Sequence, residues 1–144
     1  RTATTTYWLG MSYYQQKLAV DRDQTSTQNA LTVFNDLLRL YPGQSIEAEI
    51  KTMIQLCEKQ LAAHEIYVGR FYLKTKKLSA SIKRLEDALR LYPNSPQRDE
   101  AYYYLLTAYL KLEDRAKAEV LFQQLSASHP GSPYIAKAEK KLKK

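Results

Sequence analysis

Two histidines and a single cysteine are the residues of this 144-residue chain whose types could begin covalent or metal chemistry. Cys57 and His64 stand seven positions apart, which on a helix places thiol and imidazole on one side, two turns from each other. A thiolate beside an imidazolium is a nucleophile when a third group orients the base. The sequence supplies neither an orienting acid nor an oxyanion hole here, so Cys57 reads as a small apolar core residue. Glu65 adjoins His64, yet neighbours on a helix do not face each other. His129 stands directly before a proline that ends a helix. One cysteine allows no internal disulfide, and no metal cluster is apparent. A glycine-rich phosphate loop and a Gly-x-Ser-x-Gly elbow are both missing. The acid pairs Glu47/Glu49 and Asp99/Glu100 fall near predicted helix starts, where negative charge suits the dipole. The expectation is therefore no catalytic residue, no cofactor, no metal and no enzyme.

Charge is the more informative chemistry. The formal net charge is +7, and it is unevenly spread. Arg70, Lys74, Lys76, Lys77, Lys83 and Arg84 follow one another with no acid between the first and the last. Arg70, Lys74 and Lys77 are spaced to share one side of a helix and its exit, and Lys83 with Arg84 follow on the next helix. Such a patch attracts acidic partner surfaces and speeds their association. Arg70, Lys74, Lys77, Lys83 and Arg84 are thus the candidate partner-binding residues. Arg84 leads, because a guanidinium clamps a carboxylate bidentately. A second lysine cluster, Lys137 to Lys144, suits the negative end of a last helix, with attraction to anionic lipid as the weaker alternative. Outside the two clusters the chain is net acidic, which argues against nucleic acid despite a pI near 9.4 and many tyrosines.

The elements that must carry these residues are helices. Only four glycines and five prolines are present, too few for a hairpin-rich β protein. Three segments end alike, at Leu40-Tyr41-Pro42, Leu91-Tyr92-Pro93 and Ser128-His129-Pro130. Before them run Ala30, Val33, Phe34, Leu37; Leu78, Ile82, Leu85, Leu89; and Ala118, Leu121, Phe122, Leu125. Steps of three and four put each set on one helical face. Ser45, Ser95 and Ser132 are placed to cap the helices that follow. Leu9-Gly10 with Tyr13 and Val68-Gly69 with Tyr72 repeat an apolar–glycine–aromatic pattern; Leu105-Leu106 with Tyr109 repeats it with leucine replacing glycine. This is the pattern of the tetratricopeptide (TPR) repeat. The predicted fold is all-α, a TPR-like helical repeat (an α-solenoid of antiparallel helix pairs). No breaker lies between Ser45 and Thr75, so one long central helix of roughly 45 Å is expected there. Its apolar positions include Ile50, Ile54, Cys57, Leu61, Ile66, Phe71 and Leu73. The division is a repeat at 1–42 with an insertion at about 17–28, a repeat at 45–93 with a long first helix, a repeat at 95–130, and a final capping helix at 132–144. Tyr13-Tyr14 and Tyr102-Tyr103-Tyr104 are expected to pack helix seams, with any exposed tyrosines left to line a groove for extended peptide.

In Asp21-Arg22-Asp23-Gln24-Thr25, in Leu61-Ala62-Ala63-His64-Glu65-Ile66-Tyr67-Val68 and in Lys83-Arg84-Leu85-Glu86, together with the insertion and the long helix, the chain resembles the C-terminal part of the BamD family. These are TPR lipoproteins of the outer-membrane β-barrel assembly machinery. The resemblance implies the last three of about five repeats, with the lipidated cysteine and the first repeats upstream of Arg1. It implies a scaffold at the periplasmic face of the outer membrane, attached only through that lipid anchor. It implies docking onto the POTRA domain of BamA nearest the membrane, with other lipoproteins of the complex nearby and unfolded outer-membrane proteins as a further partner class. Arg84 is similar to the arginine at which the family meets BamA. The alternative expectation is another periplasmic or cell-envelope TPR module that binds peptide segments.

Overall fold

The structure is a computed structural model that describes residues 2–17, 22–43 and 45–144. The described residues form helices α1 (Ala3–Gln15), α2 (Thr25–Leu40), α3 (Glu47–Lys74), α4 (Leu78–Leu91), α5 (Arg98–Lys111), α6 (Arg115–Ser128) and α7 (Tyr134–Leu142), with no strand among them. This is the all-α, TPR-like helical repeat expected, and α3 is the long central helix. The chain divides into two compact units, residues 1–64 and 65–144, and α3 contributes to both.

In the first unit α1 packs on α2. Ala30, Phe34 and Leu37 of α2 meet Ile50, Met53 and Cys57 of α3 in a buried cluster, against which Tyr7, Met11 and Tyr14 of α1 lie. Gly10 is what lets α1 approach: a Cβ there would lie 2.6 Å from Cε1 of Phe34, inside contact distance, so any side chain would force the ring away.

Residues 18–21 of the predicted insertion lie outside the described residues. Its later part already belongs to α2, which starts at Thr25 because the Asp23 carboxylate accepts from the Thr25 backbone N–H at 3.1 Å and from its hydroxyl at 2.7 Å. These bonds also hold the Asp23 carboxyl below its usual range. Gln24 beside it is buried. Its side chain donates to the Arg22 carbonyl at 2.8 Å and accepts from Gln60 of α3 at 3.0 Å. Arg22, Asp23 and Gln24 thus form a built connection between helices.

The second unit repeats the same devices. A Cβ on Gly69 would meet Leu85 Cγ at 2.7 Å, and the buried Ser81 hydroxyl donates to the Gly69 carbonyl at 2.7 Å. Ile66, Leu85, Ala88, Ala101 and Leu105 form one buried cluster; Leu106, Ala118, Leu125, Ala138 and Leu142 form the next. Leu106 replaces the glycine, and the alanines Ala118 and Ala138 supply the small partners it needs. Each fully buried leucine contributes about 1.5–3 kcal/mol.

The exits of α3 and α5 are twins. Lys76 and Glu113 both take a left-handed backbone, each with φ 63°. The Lys77 N–H then bonds the Tyr72 carbonyl at 2.8 Å, and the Asp114 N–H bonds the Tyr109 carbonyl at 2.9 Å. These are Schellman ends that a glycine usually makes. The helices before the two Leu-Tyr-Pro turns share a further feature: Asp36 pairs with Arg39 at 3.1 Å and Asp87 with Arg90 at 2.8 Å. Ser95 and Ser132 each cap the turn that leads into the next helix, accepting from Gln97 and Tyr134 backbone N–H groups.

Candidate protein-docking surface

Cys57 is fully buried in the first unit's apolar cluster. Burial and the Glu58 charge push its thiol up to about 12, against the opposite pull of Lys17. It stays protonated and is inert as a nucleophile. His129 packs its ring 6.1 Å from that of Tyr102 and meets the Ser128 hydroxyl at 2.8 Å. Among the described residues no three of His, Cys, Asp and Glu converge as metal ligands. What remains is a surface of cations and aromatic rings in the second unit.

Three of the five sequence-selected cations are brought near acids that the count along the chain did not include. Arg84 Nη1 lies 3.3 Å from each carboxylate oxygen of Glu65. Lys83 reaches Asp87 at 3.3 Å. Arg70 turns to α5, where it pairs with Glu100 at 3.5 Å and stacks 4.8 Å above the Tyr104 ring. Lys74 and Lys77 are exposed and form no ion pair among the described residues. A run of six cations without an acid is therefore half neutralised from α3, α4 and α5.

The cations are also divided between two sides of α3. At about 100° per residue, Glu65 sits opposite Lys74 on the helix. Arg84 and Lys83 belong to the α4 side, where Glu65 points. Arg70 and Lys74 belong to the outward side, together with Tyr67 and Phe71. These four line a recess of ≈ 160 Å³.

Phe71 corrects the sequence reading, which placed it among the apolar positions of a helix packed between neighbours. It is 54% exposed, and Tyr67 is 46% exposed. The signal was available: Phe71 lies about 140° around the helix from Ile66 and about 200° from Leu73, both of which are buried.

Electrostatics under the recess is tight. Burial raises the Glu100 carboxyl, and Asp99 raises it further; Arg70 and Lys137 pull it down without cancelling the rise. Asp99 in turn accepts from the Ser132 hydroxyl at 2.6 Å. Burial likewise raises the Tyr104 phenol against the pull of Arg70. Arg70 is thus pinned by a carboxylate and a ring. By contrast Arg84 uses one nitrogen of its fork on Glu65, and its side chain is 41% exposed against 15% for Glu65.

The helix pairs, the glycine contacts and the proline-ended turns define a TPR-like helical-repeat protein. Residues 2–121 match the family model described as YfiO: Outer membrane lipoprotein. The chain belongs to that family. It is 28% identical over 136 residues to the outer membrane protein assembly factor BamD of Caulobacter vibrioides, covering 94% of this chain and 45% of the relative. It is 29% identical over 137 residues to the BamD of Rickettsia prowazekii, covering 95% and 55%. The Haemophilus influenzae BamD matches at 26% identity over 72% of this chain and 40% of its own length. The chain spans about half the length of the first two relatives.

Proposed function

We propose that this chain is a non-catalytic interaction scaffold of the outer-membrane β-barrel assembly machinery, and that it docks onto the periplasmic POTRA region of BamA. Arg84 is the central contact, with Lys83, Lys77, Lys74 and Arg70 as the surrounding positive field. Other lipoproteins of the complex, and unfolded outer-membrane proteins, are further partners of the same scaffold. The protein works at the periplasmic face of the outer membrane, held by a lipid anchor. Family membership supports this, as does the printed role of the relatives as outer membrane protein assembly factors. Among the described residues no helix is long and apolar enough to cross a membrane. The repeats are assigned at 1–42, 45–93 and 95–130, closed by the helix at 132–144.

The observation that carries the reading is the Arg84 guanidinium, 41% exposed and held to Glu65 through one nitrogen. A pre-oriented fork loses less freedom when it meets a partner carboxylate. The test is titration of the purified POTRA-containing periplasmic region of BamA from the same organism. Arg84→Glu is expected to weaken binding about tenfold or more, since it sets like charges against each other. Unchanged affinity removes Arg84 from the interface, and no binding by the parent chain removes the docking itself.

A further inference from the structure

We infer that the outward face of α3 around Tyr67 and Phe71 is a second docking surface, and that its occupant is an acidic protein segment carrying an aliphatic anchor residue. This goes beyond the Arg84 contact: it shares Arg70, Lys74 and Lys77 with the positive field proposed there, but rests on Tyr67, Phe71 and the recess between them.

Tyr67, Phe71 and Lys74 recur at steps of four and three, so they share one side of the helix. Tyr67 and Phe71 are 46% and 54% exposed and adjoin on that side, and contiguous exposed apolar surface rimmed by polar residues marks interaction sites. Between them, Arg70 and Lys74 the surface is recessed, with ≈ 160 Å³ of space. Small-molecule sites begin at roughly 300 Å³; a recess of half that size takes a single side chain.

The rim selects for charge. Lys74, Lys76 and Lys77 are exposed and form no ion pair among the described residues. Arg70 is held by Glu100 and Tyr104, so the unpaired charge of the rim comes from the lysines. An anchor flanked by carboxylates satisfies both features: the side chain covers the two rings, and the carboxylates meet the lysines at the helix end. A flat headgroup layer would meet the lysines but leave the recess unfilled, which favours a protein segment over a lipid surface.

The experiment uses the whole chain and three labelled peptides of equal length: one of glutamates with spaced leucines, one in which serine replaces leucine, and one in which lysine replaces glutamate. Fluorescence anisotropy reads binding, and sedimentation with phosphatidylglycerol vesicles runs alongside. The glutamate–leucine peptide is expected to bind, with the other two weaker by about tenfold or more, the scale of losing one anchor or its charges. Phe71→Ser and the double change Lys74→Glu with Lys77→Glu should each weaken that binding about tenfold. All three residues are exposed, and helix content by circular dichroism should be unchanged. Lys51→Glu, on an exposed position of the other unit, should leave binding as it was. The inference is overturned if the glutamate–leucine peptide does not bind, if the serine peptide binds equally, if Phe71→Ser has no effect, or if the variants abolish vesicle binding and spare the peptide. The Arg84 reading is decided separately, by Arg84→Glu on the POTRA region, and Phe71→Ser, which lies outside the field proposed there, keeps the two failures distinguishable.

Discussion

Arg84 of α4 divides one nitrogen, Nη1, between the two carboxylate oxygens of Glu65 on α3, at 3.3 Å each. The pair joins α3 to α4, and Arg84 is the central contact of the proposed docking. With the arginine 41% exposed, solvent screens the pair strongly. Arg84→Ala should therefore cost no more than about 0.5 kcal/mol of folding stability. The same change should weaken partner binding far more than it weakens the fold. Chemical denaturation beside the POTRA titration separates the two effects. Equal losses in both would make the arginine a structural residue only.

Glycine contacts give a prediction of opposite kind. Alanine normally stabilises a helix by about 1 kcal/mol over glycine. At Gly69 and Gly10 the added carbon would lie 2.7 Å from Leu85 Cγ and 2.6 Å from Phe34 Cε1, and both neighbours are fully buried. Overpacking of this kind costs about 1–3 kcal/mol. Gly69→Ala and Gly10→Ala are expected to lower the melting temperature, while Gly131→Ala, with open space around its position, is expected to leave it nearly unchanged.

The twin helix exits give a stabilising pair. Lys76 and Glu113 hold a left-handed backbone with φ 63°, a conformation costing an L-residue about 1 kcal/mol. Lys76→Gly and Glu113→Gly should each raise stability by up to about 1 kcal/mol, measured by denaturant midpoint at constant m-value. A loss at both positions would mean that the two side chains contribute more than their backbones cost.

Two carboxylates of the second unit should respond to pH in opposite senses. Burial raises Asp87, but hydrogen bonds from Arg90 and Lys83 outweigh it and leave the carboxyl below its usual range. Its contribution is present above the ordinary aspartate pKa and is lost as pH falls through the lowered value. Glu100 is raised, by burial first and by Asp99 next. The stability linked to it is present below the ordinary glutamate pKa and lost as pH rises through the raised value. Asp87→Asn should therefore destabilise at neutral pH and converge with the parent in acid. Glu100→Gln should melt above the parent at neutral pH, with the gap closing in acid. Melting curves of the three proteins across the carboxylate range check both signs.

The helices were legible because apolar residues at steps of three and four end at proline three times over. The length of α3 was legible because nothing between Ser45 and Thr75 breaks a helix. Gly10 and Gly69 announced the close contacts with Phe34 and Leu85. The surface was harder to read. Charge was counted along the chain, whereas Arg84, Arg70 and Lys83 are met by Glu65, Glu100 and Asp87 from outside their run. Phe71 was counted with the other apolar positions of the long helix, although its angle around the helix points away from Ile66 and Leu73. The exits at Lys76 and Glu113 carried no sequence mark, since the residue that usually adopts that backbone is glycine.

The most direct measurement of the docking claim places a photoreactive benzoyl-phenylalanine at Lys83, beside Arg84, in the full-length protein in its own cell envelope. The Lys83 side chain is 75% exposed, so the probe reaches outward without disturbing the core. Illumination is expected to give an adduct that contains BamA, and the same probe at Lys51 is expected to give none. A folded, membrane-associated protein whose Lys83 probe captures no BamA would contradict the account.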